Sequence, residues 1–194
     1  MEETRKEKRL RYLLILFFVS ITAGAFFFKY SDMSKGDENH TPLAVVLQES
    51  TGDNENPIVV MYNFQQNQHT LAQYEIKRNA DFRFVALDAV KLKQAPSEMV
   101  LDKDTGVWVK VSDKWHYFDR YLQQQERSEE LIGKSTYVPF TIEKDNDDIW
   151  MMIEGMRKMK MDLNEKVSEV HPLSNNRDLW LLVTESGAKI STFD

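Results

Sequence analysis

Five of the nine methionines crowd into one short stretch, "MMIEGMRKMKM", as Met151, Met152, Met156, Met159 and Met161. Thioethers are soft donors, and such a cluster outside the cytoplasm has the chemistry to take Cu(I). Met152 and Met156 also share the apolar face of a helix expected here, where adaptable, unbranched side chains pack cores. No histidine lies near the cluster until His171, so packing is the expected role and no metal is expected.

The other constellations are weaker. "DKDTGVWVKVSD" (102–113) carries Asp102, Asp104 and Asp113 at calcium-loop spacing, but its glycine, Gly106, sits one place early and Val107 takes its position. A solvated β-turn is the expected structure. "DNDD" (145–148) puts carboxylates where a helix N-terminus favours them. His40, His69, His116 and His171 are scattered, with no HExxH spacing. There is no G-x-S-x-G, phosphate loop or Ser-x-x-Lys; "SNNR" and "SGAK" hold suitable residues at the wrong spacing. No catalytic residue, cofactor or metal site is expected, and the chain reads as non-enzymatic. Trp108, Trp115, Trp150 and Trp180 are too dispersed to line one cage and are expected to anchor separate elements.

The elements that would position such groups read as follows. "LAVVLQ" (43–48), "IVVMYNF" (58–64), "TLAQYEIKR" (70–78) and "DFRFVALDAVKLK" (81–93) are β-branched, aromatic or alternating runs that predict strands. "VWVKV" (107–111) and "WHYF" (115–118) predict a hairpin across "SDK". Residues 43–118 are therefore mainly sheet. Residues 119–194 read as α+β. "DRYLQQQERSEELIGK" predicts a helix with Asp119 as N-cap and Gly133 beyond its last apolar pair. Pro139 confines "TYVPFTI" to an edge or a short strand. Ile149, Met152, Ile153, Met156 and Leu163 then mark one face of a second helix. "VSEV" (167–170), "DLWLLVT" (178–184) and "KISTF" (189–193) complete the chain as strands, with a tight turn at "ESGA".

Charge and hydropathy divide the chain further. Residues 1–11 hold five basic side chains, Arg5, Lys6, Lys8, Arg9 and Arg11, ahead of the uncharged run Tyr12–Phe28. That run approaches the roughly 20 apolar residues a bilayer core requires. Phe26, Phe27 and Phe28 extend it past Ala23-Gly24-Ala25, where a signal peptide would be cut, so an uncleaved membrane anchor is expected. The positive-inside rule places residues 1–11 in the cytoplasm and everything after Tyr30 outside, with 31–42 as a polar linker. From residue 12 onward there are 20 basic and 28 acidic side chains, a net charge of −8. Nucleic acid is disfavoured as a target, since it attracts basic surfaces. The absence of cysteine removes disulfides and thiolate metal sites, and suits a bacterial envelope better than a eukaryotic secretory lumen.

"VSEV" (167–170), "RDLWLLV" (177–183) and "SGAKI" (186–190), behind an amphipathic segment, resemble the β-domain of the FtsQ/DivIB family of bacterial division proteins. The short cytoplasmic tail, single span and exported domain resemble the family's plan as well. Residues 43–93 lack the "V-x-V-x-G-N" strand of that family's membrane-proximal module. The resemblance implies a non-catalytic protein whose partner adds a strand to the β-domain edge. On this chain that edge is Lys189, Ile190, Ser191, Thr192 and Phe193, with Trp180 on the neighbouring strand.

The expected architecture is α+β: one N-terminal transmembrane helix, then an exported, mainly antiparallel domain with two helices. The expected function is binding of other envelope proteins, in a scaffold or assembly role that includes cell division. A sensory or regulatory ectodomain that binds a ligand or tunes a membrane complex is the alternative.

Overall fold

Four short sheets stack face on face, and two of them are covered on both sides. The computed structural model describes residues 42–50, 55–78, 82–145, 148–153, 157–161, 166–185 and 187–192, all within one unit, His40–Asp194. Sheet I is a meander of β1 (Leu43–Gln48), β2 (Ile58–Gln65), β3 (Gln68–Lys77) and β4 (Arg83–Leu92). Sheet II holds β5 (Glu98–Leu101), β6 (Val107–Val111), β7 (Lys114–Phe118) and β8 (Gln124–Gln125). Sheet III is β9 (Phe140–Asp145), β10 (Asp148–Ile153) and β11 (Arg157–Met161); sheet IV is β12 (Val167–Pro172), β13 (Leu179–Thr184) and β14 (Gly187–Thr192). Every pairing within these sheets is antiparallel.

Side-chain alternation assigns the layers. On β1 and β2, Ala44, Val46, Val59 and Met61 pack with Leu179, Leu181 and Val183 of sheet IV. Their neighbours Val45, Val60 and Tyr62 point the other way, onto Met99, Val107 and Val109 of sheet II. Sheet IV repeats the pattern, because Trp180 and Leu182 face Met151 and Ile153 of sheet III. The layer order is II–I–IV–III. Burying a Val, Leu or Ile side chain is worth about 1.5–3 kcal/mol, so strands buried on both faces, such as β2 and β13, carry much of the stability. Their near-continuous apolar runs are what two-sided burial requires.

Sheets I and IV are tied at one side. The β1 edge offers the N–H groups of Ala44 and Val46, which donate to Glu169 Oε2 (3.1 Å) and Thr136 Oγ1 (3.0 Å). Val138 N–H donates to the Val170 carbonyl of β12 at 2.8 Å, holding the intervening segment in place. At the other ends of these sheets lie β4 and β14. β4 contains a bulge: Gln73 faces Asp88 and Tyr74 faces Ala86, which leaves Leu87 as the extra residue. β14 pairs with β13 without a break over all six residues.

Three expectations are corrected. The fold class is not α+β with two helices but nearly all antiparallel sheet, with one 3-10 turn (Glu129–Leu131) as the helical element among the described residues. Residues 119–134 form no α-helix because their apolar residues cluster at the two ends and leave no stripe to bury. Asp119 instead accepts from the N–H groups of Tyr121 and Gln123 (both 2.9 Å) in a turn where Leu122 has φ +54°. Gly133 is needed for close approach rather than as a cap, since a Cβ there would lie 2.4 Å from the Leu101 carbonyl oxygen.

The second expected helix, around 149–163, is the β10–β11 hairpin. Helical spacing competes here with a period of two, seen in Met151 and Ile153 and in the Lys–Met alternation of "RKMKM". Period two wins because the outer face of sheet IV, with Trp180 and Leu182, needs a sheet to cover it. Met156 and Leu163, the rest of the expected helical face, lie outside the described residues. The expected transmembrane helix is not seen: no helix among the described residues is long and apolar enough to cross a membrane, and Tyr12–Phe28 lies outside them.

Candidate functional site

The segments that carry the family resemblance are β12, β13 and β14. Lys189–Thr192 lie on β14, at the outer end of sheet IV, and Phe193 lies outside the described residues. Leu173 N–H donates to the Leu179 carbonyl on the β12 side, so alternation along β13 turns Trp180, Leu182 and Thr184 toward their β14 partners Ser191, Lys189 and Gly187. Gly187, Lys189 and Ser191 therefore turn their main-chain groups toward β13. Ala188, Ile190 and Thr192 turn theirs outward. Trp180 stands opposite Ser191 but is only 2% exposed, against sheet III, and its indole N–H donates to the Arg177 carbonyl (2.8 Å). It supports the edge from behind rather than offering a contact surface.

The other constellations resolve as follows. Among the described residues no group of three or more His, Asp or Glu side chains converges to hold a metal. Met151 is fully buried in the core between sheets III and IV. Asp102, expected in a solvated turn, is buried and takes five hydrogen bonds. Trp108 Nε1 (2.7 Å) and Arg127 Nε (3.0 Å) donate to Oδ1; an Arg127 terminal nitrogen (2.8 Å) and the N–H groups of Asp104 (2.9 Å) and Thr105 (3.2 Å) donate to Oδ2. Burial alone would push its pKa up. The hydrogen bonds from Arg127, Asp104, Trp108 and Thr105 outweigh that and hold the carboxyl below its ordinary value. The Arg127 guanidinium also lies 4.8 Å from the Tyr117 ring centre. This network clamps the 102–106 loop to the outer face of sheet II.

His171 sits in an arrangement that spacing never suggested. Its Nδ1 is 2.8 Å from Thr136 Oγ1, and its Nε2 is 3.1 Å from Glu169 Oε2. Hydroxyl, imidazole and carboxylate at these distances match a nucleophile, base and orienting acid. Two observations argue against reactivity. His171 is 0% exposed, and Thr136 Oγ1 and Glu169 Oε2 already accept the N–H groups of Val46 and Ala44. The Glu169 carboxylate can only accept, so Nε2–H donates to it, while Nδ1 and the Thr136 hydroxyl share the second hydrogen bond. The arrangement is a polar latch on the β1 edge.

A cleft of about 530 Å³ opens between sheet I and the near end of sheet II. Sheet I contributes Leu47, Ile58, Gln73, Leu87 and Asp88 along a row that crosses its strands. The facing wall is the Asp102–Gly106 loop with Arg120 and Tyr121. Arg120 donates to the Tyr121 hydroxyl (2.7 Å) and lies over its own neighbour's ring at 4.7 Å, holding that half-exposed tyrosine in place. The β4 bulge brings two consecutive residues, Leu87 and Asp88, to the same cleft. None of Gln73, Leu87, Tyr121 or Arg127 stands out in the sequence, because each belongs to an unremarkable run and acquires its place only from the stacking of sheets. Comparison with known proteins finds no match for this chain: no family model, no curated protein and no solved structure.

Proposed function

We propose that this chain is a non-enzymatic envelope protein whose exported β-domain binds other envelope proteins, a partner strand adding to the outer edge of β14. The observation that carries this reading is the unbroken six-residue register of β14, which directs the main-chain groups of Ala188, Ile190 and Thr192 outward. Main-chain hydrogen bonding along an open edge supplies affinity without catalytic residues. β4, the outermost strand of sheet I, is less suited. Its ladder is bulged at Leu87, and Asp88 Oδ1 already takes the Ala89 N–H at 2.8 Å. The resemblance of 167–190 to the FtsQ/DivIB β-domain supports a role in division or wall assembly. The basic residues 5–11 and the apolar run Tyr12–Phe28 support attachment at a cell membrane with this domain on the outer side.

The test is co-purification of the full-length chain from its native membranes in mild detergent, beside Thr192→Pro. Proline there removes an outward N–H while leaving the bonds to β13 in place. Envelope proteins should accompany the wild type and be lost from the variant, with the melting temperature little changed. Isolation of the wild-type chain alone, or equal retention by both, refutes the reading. Deleting β14 would be a poor substitute, because Ala188 and Ile190 pack into the core between sheets I and IV.

A further inference from the structure

Six polar or charged residues are buried among the described residues: Ser50, Gln73, Asp102, His171, Ser174 and Thr184. Five of them have clear structural partners. Asp102 and His171 are held in the networks above; Ser174 Oγ donates to Asp178 Oδ1 (2.5 Å); Thr184 Oγ1 donates to the Gly187 carbonyl (3.2 Å); Ser50 is fixed across the sheets by its main-chain bond to the Leu173 carbonyl (2.8 Å). Gln73 is the exception. It is 6% exposed, and its carboxamide makes no hydrogen bond to the described residues. It lines the cleft between sheets I and II.

The carboxamide is not sealed in the core but opens on the cleft, which leaves its donor and acceptor available there, while Leu71 on the same face of the strand packs into the core between sheets I and II. Its surroundings are also built rather than accidental. A β-bulge aims Leu87 into the cleft, Tyr121 is held by Arg120, and the facing loop is clamped by Asp102 and Arg127. The volume of about 530 Å³ lies within the range of ligand sites.

We propose that this cleft binds an extended, uncharged peptide segment of another protein, whose main-chain amide pairs with the Gln73 carboxamide. One carboxamide presents a donor and an acceptor side by side, and a peptide group offers the complementary pair. Leu47, Ile58, Leu87 and the Tyr121 ring form an apolar seat for the side chain of the bound residue. The lining mixes the acids Asp88, Asp102 and Asp104 with the bases Lys103 and Arg120, and Arg127 pairs with Asp102 and Asp104, so neither a strongly acidic nor a strongly basic ligand is favoured. This site is separate from the β14 edge and does not depend on it.

The probe is N-acetyl-leucine N-methylamide, which carries two peptide groups and one apolar side chain. It would be titrated into the ¹⁵N-labelled full-length protein in mild detergent while amide resonances are followed. Saturable shifts are expected at the Gln73 side-chain NH₂ and at the main-chain N–H groups of Leu87 and Tyr121. Gln73→Leu should weaken binding about tenfold while the melting temperature changes little. Tyr121→Ala, at a half-exposed position, should also weaken binding with the fold intact, and serves if Gln73→Leu fails to fold. The proposal is overturned if the probe leaves the Gln73 resonance unmoved, or if neither variant changes the titration. It is equally overturned if N-acetylglucosamine, which also carries an amide, saturates the site and the dipeptide analogue does not.

Discussion

Asp102 and Arg127, twenty-five residues apart, meet through two parallel hydrogen bonds: Nε to Oδ1 at 3.0 Å and a terminal nitrogen to Oδ2 at 2.8 Å. The Asp102 side chain is fully buried and that of Arg127 is 24% exposed, so the fork closes over the carboxylate from the solvent side. This pair lets a stretch with almost no secondary structure cover Trp108 and Tyr117 on sheet II. A two-point guanidinium contact adds direction to charge, which a lysine would not reproduce.

Removing the carboxylate should be costly. Asp102→Ala leaves the Trp108 indole N–H and the Arg127 guanidinium without their acceptor, and about 3 kcal/mol of stability should be lost. The same carboxyl predicts a pH dependence. Its folded pKa lies below the unfolded one, so its contribution is fully present above the unfolded pKa and disappears as pH falls through the folded value. Asp178, lowered first by the Ser174 hydroxyl, acts with the same sign. Thermal melts should be flat near neutrality and fall steadily below about pH 4. A melting temperature unchanged down to pH 2.5 would contradict this, and Asp102→Asn should flatten the acid limb.

The His171 latch predicts a local effect. Glu169→Ala leaves the Ala44 N–H and His171 Nε2–H without acceptors, and about 1–3 kcal/mol should be lost. Glu169→Gln keeps a carbonyl oxygen and should lose less. In Thr136→Val, amide exchange should quicken at Val46, whose N–H that hydroxyl accepts, more than at Val60 on the neighbouring strand. Uniform acceleration along both strands would mean global rather than local loosening.

Two glycines separate backbone strain from steric conflict. Gly106 (φ +103°) and Gly187 (φ +138°) both occupy conformations that side chains disfavour. At Gly106 an added Cβ would stand 2.4 Å from the Phe118 carbonyl oxygen; at Gly187 it meets nothing within 4 Å. Gly187→Ala should cost about 1 kcal/mol and Gly106→Ala well over twice that, read from urea unfolding midpoints. Equal costs would show that contact with Phe118 is readily relieved.

Most strands of residues 43–118 were legible because β-branched runs and alternation leave little choice, and Leu43–Gln48 forms as expected, whereas the short β5 (Glu98–Leu101) gave too brief a run to be read. Residues 119–134 misled because Asp119 and Gly133 are residue types that also end helices, while here one builds a turn and the other makes room for a carbonyl. In residues 148–161 two periodicities coexist, and the choice between them depends on a sheet face contributed by residues 179–184. Gln73 stayed invisible for a related reason. The alternation of Ala72, Tyr74 and Ile76 marks one inward face, and nothing local reveals that the opposite face of β3 is covered too. The Thr136–His171–Glu169 latch spans strands distant in sequence, so no spacing motif could announce it.

The tie between the first strand and the end of the chain also fixes an order of events during synthesis. Ala44 and Val46 obtain their acceptors from residues 125 and 90 positions later. The face of sheet I bearing Val59, Met61 and Ile76 likewise waits for Leu179 and Leu181, which are made after both of those acceptors. A nascent chain carrying the first meander thus emerges with a wet, sticky flank for as long as it takes to make roughly a hundred further residues, several seconds at ordinary elongation rates. A helper that shields that flank until the last hairpin arrives would govern the yield of native protein more than any single contact within it.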